Sequence, residues 1–336
     1  MPNTKLSQQE LTALLAQALM RHHVSDHNAS SVARALAQAQ CDGQAGHGVS
    51  RIKSYCLQAK SGKVDGMAIP TVVTKTDAAV CIDAANGFAY PAIDLAITEL
   101  VGRAKQQGIA CATIRRSHHF GVAGWPAERI AMQGMVGLIV GNSPAAIAPH
   151  GGSAPLFGTN PIAFAAPRAS EPPLVIDLSL SKVARGKVMV AAKEGNSIPE
   201  GWGLDAAGND TTDPHAVLAG SMLPMGEAKG AALVMMVEIL AAALTSSNFG
   251  FEANSFFEAE GDPPGVGQTI LSFNPDLLSG GHFASRLETL IGAVIAQDGT
   301  RLPGTKRLTM REQAQNNGVE LSDTLRTELM TMVNAN

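Results

Sequence analysis

Three features of the chain predict an α/β fold. Short apolar runs of strand length at Val80–Asp83, Ile109–Ile114 and Val136–Val140 alternate with helix-length segments at Pro91–Gln107 and Val122–Gln133. Two more strand-like runs follow at 161–166 and 174–178. The chain ends instead carry helical periodicity, which predicts a largely helical part beside a sheet part.

In chain order, Ser7-Gln-Gln-Glu10 is a capping-box pattern. Leu11, Leu14, Leu15, Ala18 and Leu19 then recur at helical spacing, and a second helix over about 28–40 puts Val32, Ala35 and Leu36 on one face. Gly43, Gly46 and Gly48 interrupt it. Val49–Lys60 is helical again and stops at Gly62. His47 and Arg51 are four residues apart where this glycine-rich loop meets the helix start, so both side chains can reach one cavity. The plainer alternative is a loop histidine and a surface arginine. Asn86-Gly87 marks a turn, Pro91 opens the long helix and Gly108 closes it.

The stretch Phe157–Arg168 begins with Gly158, where backbone can approach closely, and places Thr159 and Asn160 beside that turn. Ile162–Ala166 then reads as a short buried strand. Ser117–Gly121, Asn142-Ser143 and Leu174–Ser179 are also strand-like runs ending in small or polar residues, where open sheets place ligands. Residues 199–223, rich in Gly, Asp and Pro, predict an excursion or lid. Lys229–Leu244 predicts an apolar helix, with Met235, Met236 and Val237 buried almost all round. Its start, Met225–Gly230, offers backbone N–H groups and a lysine to an anion. Gly250–Gly267 reads as a loop carrying Phe251, Phe256 and Phe257, followed by a strand at Gln268–Phe273, a helix at Phe283–Ala296 and a last helix near 321–333. Between these helices, Arg301, Lys306 and Arg307 flank Pro303-Gly304. That run is either a solvated loop or a phosphate site.

At 336 residues the chain can build two or three packed lobes. A net charge of -4 argues against nucleic acid as a partner. No apolar run has transmembrane length and the N-terminus has no signal-like apolar stretch, so no membrane association is expected. Cys41, Cys56, Cys81 and Cys111 are widely spaced, which fits reduced thiols in a cytoplasmic protein rather than disulfides; no metal site is expected. Gly-x-Gly-x-x-Gly, the P-loop, His-Glu-x-x-His and Gly-x-Ser-x-Gly are all missing. Rossmann dehydrogenases, P-loop enzymes, zincins and α/β-hydrolases lose ground accordingly.

Taken in order, Asp42-Gly, His47-Gly, Arg51, Ser61–Gly66, Asn86–Ala89, Ser117–Phe120, Phe157–Pro161, Ala184-Arg-Gly186, Lys229-Gly230 and Arg301–Gly304 resemble the type 2 malate/L-lactate dehydrogenase family. The resemblance covers about residues 5–310. It implies a non-Rossmann NAD(P)-binding sheet domain at about 115–274, with the excursion at about 195–225, and a mainly helical catalytic and dimerisation domain from 1–114 plus about 275–336. Asn86–Ala89, Ser117–Phe120 and the helix from Lys229 look most like the branch that reduces Δ1-pyrroline-2-carboxylate and Δ1-piperideine-2-carboxylate.

The resemblance also implies roles. His47 would be the proton donor, with Lys187 beside it among the catalytic residues. Arg51 and Thr159 would hold the substrate carboxylate, with Arg185 and Gly186 near the substrate. His118, His119, Phe120, Gly121, Val122, Asp177, Leu178, Ser179, Lys229, Arg301, Leu302, Pro303, Gly304, Thr305, Lys306 and Arg307 would hold the dinucleotide. The chemistry is coherent: a carboxylate suits the planar fork of arginine, and histidine is poised near neutral pH to deliver a proton.

Three residues depart from the imine-reductase pattern. Gly46 stands where a serine precedes the histidine, Ala228 stands where a histidine precedes the lysine, and Lys187 stands where those reductases have aspartate. Hydroxy acid-oxidising relatives often have lysine at this last place. The first reading is an imine 2-carboxylate reductase, the second a malate- or lactate-type 2-hydroxy acid dehydrogenase, and the third a non-catalytic dinucleotide-binding protein. NADPH is the expected cofactor, with NADH possible, and a homodimer is expected from the family and from the aromatic loop.

Overall fold

The computed structural model describes residues 5–335. From the N-terminus come α1 (Gln8–Met20), α2 (Asp26–Cys41), α3 (Ile52–Ser61), β1 (Thr71–Lys75), β2 (Ala79–Asp83), α4 (Ala89–Gln107) and β3 (Ile109–Ser117). The middle holds α5 (Gly124–Ala131), β4 (Val136–Gly141), β5 (Ile162–Ala166), β6 (Leu174–Leu178) and α6 (Arg185–Glu194). Then follow β7 (Gly203–Leu204), α7 (Pro214–Ala219), β8 (Ser221–Met222), α8 (Glu227–Glu238) and β9 (Val266–Phe273). α9 (Pro275–Ser279), α10 (Phe283–Ile295), α11 (Thr305–Asn317) and α12 (Asp323–Val333) end the chain.

The capping box forms: the Glu10 N–H donates to Ser7 Oγ at 3.2 Å, and the Ser7 N–H donates to Glu10 Oε2 at 2.8 Å. Leu11, Leu15 and Leu19 on α1 and Leu36 on α2 meet Leu329 and Val333 of α12 in one helical core. Leu6 and Val319 exchange N–H···O bonds of 3.0 and 2.7 Å, so the two ends of the chain are joined. Each such fully buried side chain stabilises the fold by about 1.5–3 kcal/mol.

The main sheet has the order β1-β2-β3-β9-β4-β5-β6. Only β2 and β3 run parallel, joined across α4; every other neighbouring pair is antiparallel. This is a mixed sheet and not a doubly wound one. Ile93, Ile97 and Leu100 of α4 and Ile130 of α5 pack on Ile82, Ile114, Ile139 and Ile270 on one face. Val234 and Val237 of α8 and Ala241 of the π-helical segment Ile239–Ala243 pack with Val140 on the other side. The division expected at residue 114 falls inside β3, and β1 to β3 belong to the same sheet as the later strands.

Some expectations are corrected. Val237 is buried, but Met235 and Met236 are 49% and 46% exposed, so the helix from 227 has one apolar face turned outward. Arg301–Arg307 is not all loop: Gly304, at φ +81°, caps α11, and Thr305 begins it. The sequence hides α11 because it buries no apolar residue and shows no apolar stripe.

Charge holds α11 instead. Arg307 and Arg311, one turn apart, grip Glu128 of α5 at 2.7 and 2.8 Å. Arg311 also reaches Asp42, at the end of α2, at 2.7 Å, and Arg307 reaches it at 3.4 Å. The carboxylate side chains are 1% and 3% exposed. Burial by itself would raise the Glu128 pKa, but hydrogen bonds from Arg311 and Arg307 outweigh it and hold the group below its ordinary value of 4.5. A depressed carboxylate stabilises the fold above the unfolded value and loses that contribution as pH falls through the folded one. Arg311→Met should therefore cost about 3 kcal/mol in urea unfolding at pH 7. The difference from wild type should shrink below about pH 4.5. A pH-independent difference would remove the ion pairs as its cause.

Candidate active site

α3 builds one side of the site. Ala45–His47 and Val49–Arg51 form two short 3-10 turns that lead into it. The turns leave His47 and Arg51 on one side, and Tyr55 follows one helical turn later. The His47 ring stacks on His119, with centroids 5.5 Å apart and planes 19° apart. Tyr55 Oη lies 2.5 Å from His119 Nδ1 and 3.1 Å from Tyr90 Oη. Arg51 Nε donates to the Gly46 carbonyl at 2.7 Å, and its guanidinium lies 4.7 Å from the Phe257 ring centre. Among the described residues no carboxylate pairs with Arg51.

This arrangement sets the charges. Burial and then the Arg51 cation push the His47 pKa down to about 4. Burial, Arg51, His47 and His118 hold His119 well below its ordinary value. His118 lies in a box of Tyr55, Phe88 and Phe256, with both ring nitrogens buried and unpartnered, and burial depresses it to about 3. Burial raises the Tyr55 hydroxyl to about 12, so it stays a neutral donor. At pH 7 the cluster holds neutral histidines beside the Arg51 cation, with Lys63 adding to the field on His118.

Thr159 is positioned from the sheet side. Its N–H donates to Ser143 Oγ at 3.1 Å. A Cβ on Gly158 would sit 2.2 Å from the Ser143 carbonyl, so only glycine allows this approach. Asn160 has φ +40° and donates from Nδ2 to Glu238 Oε2 at 2.6 Å. Glu238, 3% exposed, also accepts from Asn142 Nδ2 at 3.0 Å and the Gly250 N–H at 2.7 Å. The π segment begins directly after it. The loop after Gly250 joins both sides: Gly250 lies against Gly158 and Ser143, while Phe256 lies 5.0 Å from His119, centre to centre.

The segments expected to hold a dinucleotide come together in part. His118–Val122 leads into α5, whose Gly124 N–H donates to Asp177 Oδ2 at 2.8 Å. Gly304 abuts the Val175 carbonyl, two residues before Asp177. The Leu180 N–H donates to the Thr159 carbonyl and the Met225 N–H to the Leu180 carbonyl, both at 2.9 Å. That chain ties Leu178 and Ser179 to Thr159 and to the start of α8. There a Cβ on Gly230 would overlap the Met225 carbonyl oxygen at 1.5 Å, which fixes the tight turn presenting exposed Lys229. Phe120 is buried, and its ring lies against Gly141. Leu302 accepts from Thr305 Oγ1 at 2.8 Å, which shapes the turn at Pro303. Arg301 and Lys306 are exposed. A dinucleotide phosphate fits this donor set of free cations and backbone turns. Arg307 is the exception: Glu128 and Asp42 already hold its guanidinium.

Arg185, Gly186 and Lys187 open α6. Arg185 Nε is buried without a partner, and burial lowers its pKa. Lys187 is exposed. Tyr55, Tyr90, Ser143 and Glu238 are absent from the sequence-derived site. Tyr55 had a usable signal, since it follows Arg51 at the same four-residue spacing that joins His47 to Arg51. Phe256 is corrected: it is 6% exposed and walls the histidines instead of facing outward.

Arg51→Met should raise the His47 pKa from about 4 toward, though short of, 6.5, because burial remains. Imidazole NMR titration reads this directly, and an unmoved value would exclude Arg51 as a cause. His47→Ala should lower kcat by about 10²-fold or more, with cofactor binding retained.

A profile of the malate/L-lactate dehydrogenase family matches residues 6–330. The chain is 48% identical over 324 residues to a (2R)-3-sulfolactate dehydrogenase (NADP(+)) from Chromohalobacter salexigens, covering 96% of each. It is 45% identical over 320 residues to a Δ1-pyrroline-2-carboxylate/Δ1-piperideine-2-carboxylate reductase from Pseudomonas putida, covering 94% of this chain and 92% of that one. The crystal structure of Δ1-piperideine-2-carboxylate reductase from Pseudomonas syringae superposes with a TM-score of 0.93 at 41% identity, over 98% of this chain and 99% of that one. The mixed sheet, the stacked histidine pair from the turn before α3 and the segment after β3, and this end-to-end match agree: the chain belongs to the malate/L-lactate dehydrogenase family of oxidoreductases.

Proposed function

We propose that the protein is an NADP-dependent oxidoreductase acting at C2 of a small 2-carboxylate. Arg51 and Thr159 hold the carboxylate, and His47 handles the proton. The observation that carries this reading is Arg51, a cation without an acidic partner beside a neutral histidine. When bound, the nicotinamide cofactor supplies the hydride chemistry. Lys229, Arg301, Lys306, Asp177 and the His118–Val122 turn would hold it. The C. salexigens relative's NADP(+) and the two free cations at Arg301 and Lys306 support NADPH over NADH.

In the oxidative direction, neutral His47 accepts the hydroxyl proton at pH 7. For reduction it must first be charged. A substrate carboxylate on Arg51 cancels the field that depresses His47, so substrate binding itself moves the imidazole toward its donor form. Tyr55 fixes the orientation of His119, whose ring backs His47.

For the substrate we infer a 2-oxo or 2-hydroxy acid with a second acidic group. Arg185 is a half-buried guanidinium whose Nε is buried without a partner, next to exposed Lys187, one cation site more than a monocarboxylate needs. The segment before it hangs on the Thr159 carbonyl through Leu180. The C. salexigens relative takes such an acid, 3-sulfolactate. The cyclic imine 2-carboxylate, first in order from the sequence, becomes the second reading, supported by the Pseudomonas relatives and the aromatic wall of Phe256 and Tyr55. A purely binding role does not fit an oxidoreductase family.

The test is NADPH oxidation with 3-sulfopyruvate, oxaloacetate, 2-oxoglutarate, pyruvate, Δ1-pyrroline-2-carboxylate and Δ1-piperideine-2-carboxylate, repeated with NADH. Dianionic acids should give the highest kcat/KM. Arg185→Met should cut that value about tenfold or more for them and leave pyruvate within about threefold. Faster turnover of the imines would establish the second reading instead.

A homodimer is part of the proposal. Met235, Met236 and Ile239 line an open apolar cleft of about 520 Å³ with Pro149, His150 and Phe157. Leu244, 56% exposed, extends this face, which a second copy would cover. Light scattering should give twice 34.8 kDa, and Met236→Lys should shift the mass toward one chain. A wild-type monomer at micromolar concentration would overturn it. Four free cysteines support a cytoplasmic setting. No helix among the described residues is long and apolar enough to cross a membrane.

A further inference from the structure

Lys63 is 2% exposed, yet no carboxylate among the described residues lies within ion-pair distance of it. Its Nζ donates instead to three backbone carbonyls: Ser255 at 2.8 Å, Glu258 at 3.1 Å and Glu260 at 3.0 Å. An ammonium has three N–H donors, and all three are used. Gln58 Nε2 adds bonds to the carbonyls of Phe256 at 3.0 Å and Glu258 at 2.8 Å. Ser61 Oγ donates to the Ala259 carbonyl at 2.6 Å. The end of α3 and the turn after it therefore hold a single loop by its backbone.

That loop's aromatic side chains point the other way. Phe256 lies 5.3 Å from His118 and 5.0 Å from His119, ring centre to ring centre. Phe257 lies under the Arg51 guanidinium. Arg51 and Tyr55 belong to the start of the same helix. α3 thus carries reactive groups at one end and, at the other, the anchors of the wall that covers them. An apolar residue in place of Lys63 would fill the space without the cost of burying a charge. It could not draw three carbonyls to one point.

We propose that Lys63 is a positioning residue of the active site, holding the 255–260 loop so that Phe257 lies over Arg51 and Phe256 walls the histidine pair. This rests on the reading of Arg51 as carboxylate anchor, so the test includes a measurement that needs no substrate. With the loop released, Arg51 loses its seat and the histidines lose cover. His47 in Lys63→Met should then titrate at least half a pH unit above wild type by NMR.

On any 2-carboxylate the wild type turns over, Lys63→Met should raise KM about tenfold and change kcat less than threefold. Phe257→Leu should raise KM in the same way. The double variant should be no worse than the poorer single one, because both remove one contact. Ser61→Ala, which deletes one outer bond, should move His47 and KM in the same direction by less, and serves where Lys63→Met does not fold. An unmoved His47 titration, or KM effects that multiply in the double variant, would reduce Lys63 to a packing role. A His47 shift without any active substrate would uphold Lys63 and sink the reading of Arg51.

Discussion

The site depends on a positive charge that the fold leaves unneutralised. Arg51 touches a carbonyl and an aromatic ring but, among the described residues, no carboxylate, at the edge of a cluster of three histidines. Burial first, and this cation second, keep the His47 and His119 imidazoles neutral, and the cation is free to take an anion. On the proposed reading, a substrate carboxylate would do two things at once: fill the fork and relieve the field on His47. Affinity and acid strength are coupled through a single guanidinium, which a lysine at 51 would reproduce only as a point charge.

The buried carboxylates are engaged elsewhere. Asp42 and Glu128 are consumed by Arg307 and Arg311, which dock α11 against α2 and α5. Glu238 is consumed by two asparagines and a backbone N–H, which hold the strained turn at Asn160. Asp177 caps α5 beside the turn that would meet the cofactor. Each buried acid stabilises a joint between segments that carry site residues. Among the described residues none pairs with Arg51.

What the sequence revealed follows from range. The capping box at Ser7, the Gly108 stop and the Ile162–Ala166 strand depend on near neighbours and are legible. The spacing of His47 and Arg51 is local too, and the structure does bring the pair to one place. The partners of Arg307 are 265 and 179 residues away, so its composition suggested a phosphate site where the fold makes an ion pair. Residue types such as Lys63 and Phe256 carry no mark of their orientation, which emerges only when the 255–260 loop meets α3. The sequence of α8 reads as buried all round for a related reason: its residues are apolar on every side, while the sheet covers one face only.

Packing also separates the positions that are fixed from those that can change. A Cβ at Gly158 or Gly230 would collide with backbone, so the turns that carry Thr159 and Lys229 admit nothing else. A Cβ at Gly46 or Gly186 would meet no atom within 4 Å, and neither residue has a left-handed backbone. Glycine at 46 is therefore not demanded by sterics; it leaves His47 without a neighbouring hydroxyl. Lys187, exposed on the first turn of α6, is likewise free of packing. The turns proposed to hold the carboxylate and the cofactor are locked into the scaffold, while positions 46, 186 and 187 sit at openings. On such a frame positions 46 and 187 can vary without disturbing the fold, which is consistent with relatives at 48% and 45% identity being named for different substrates.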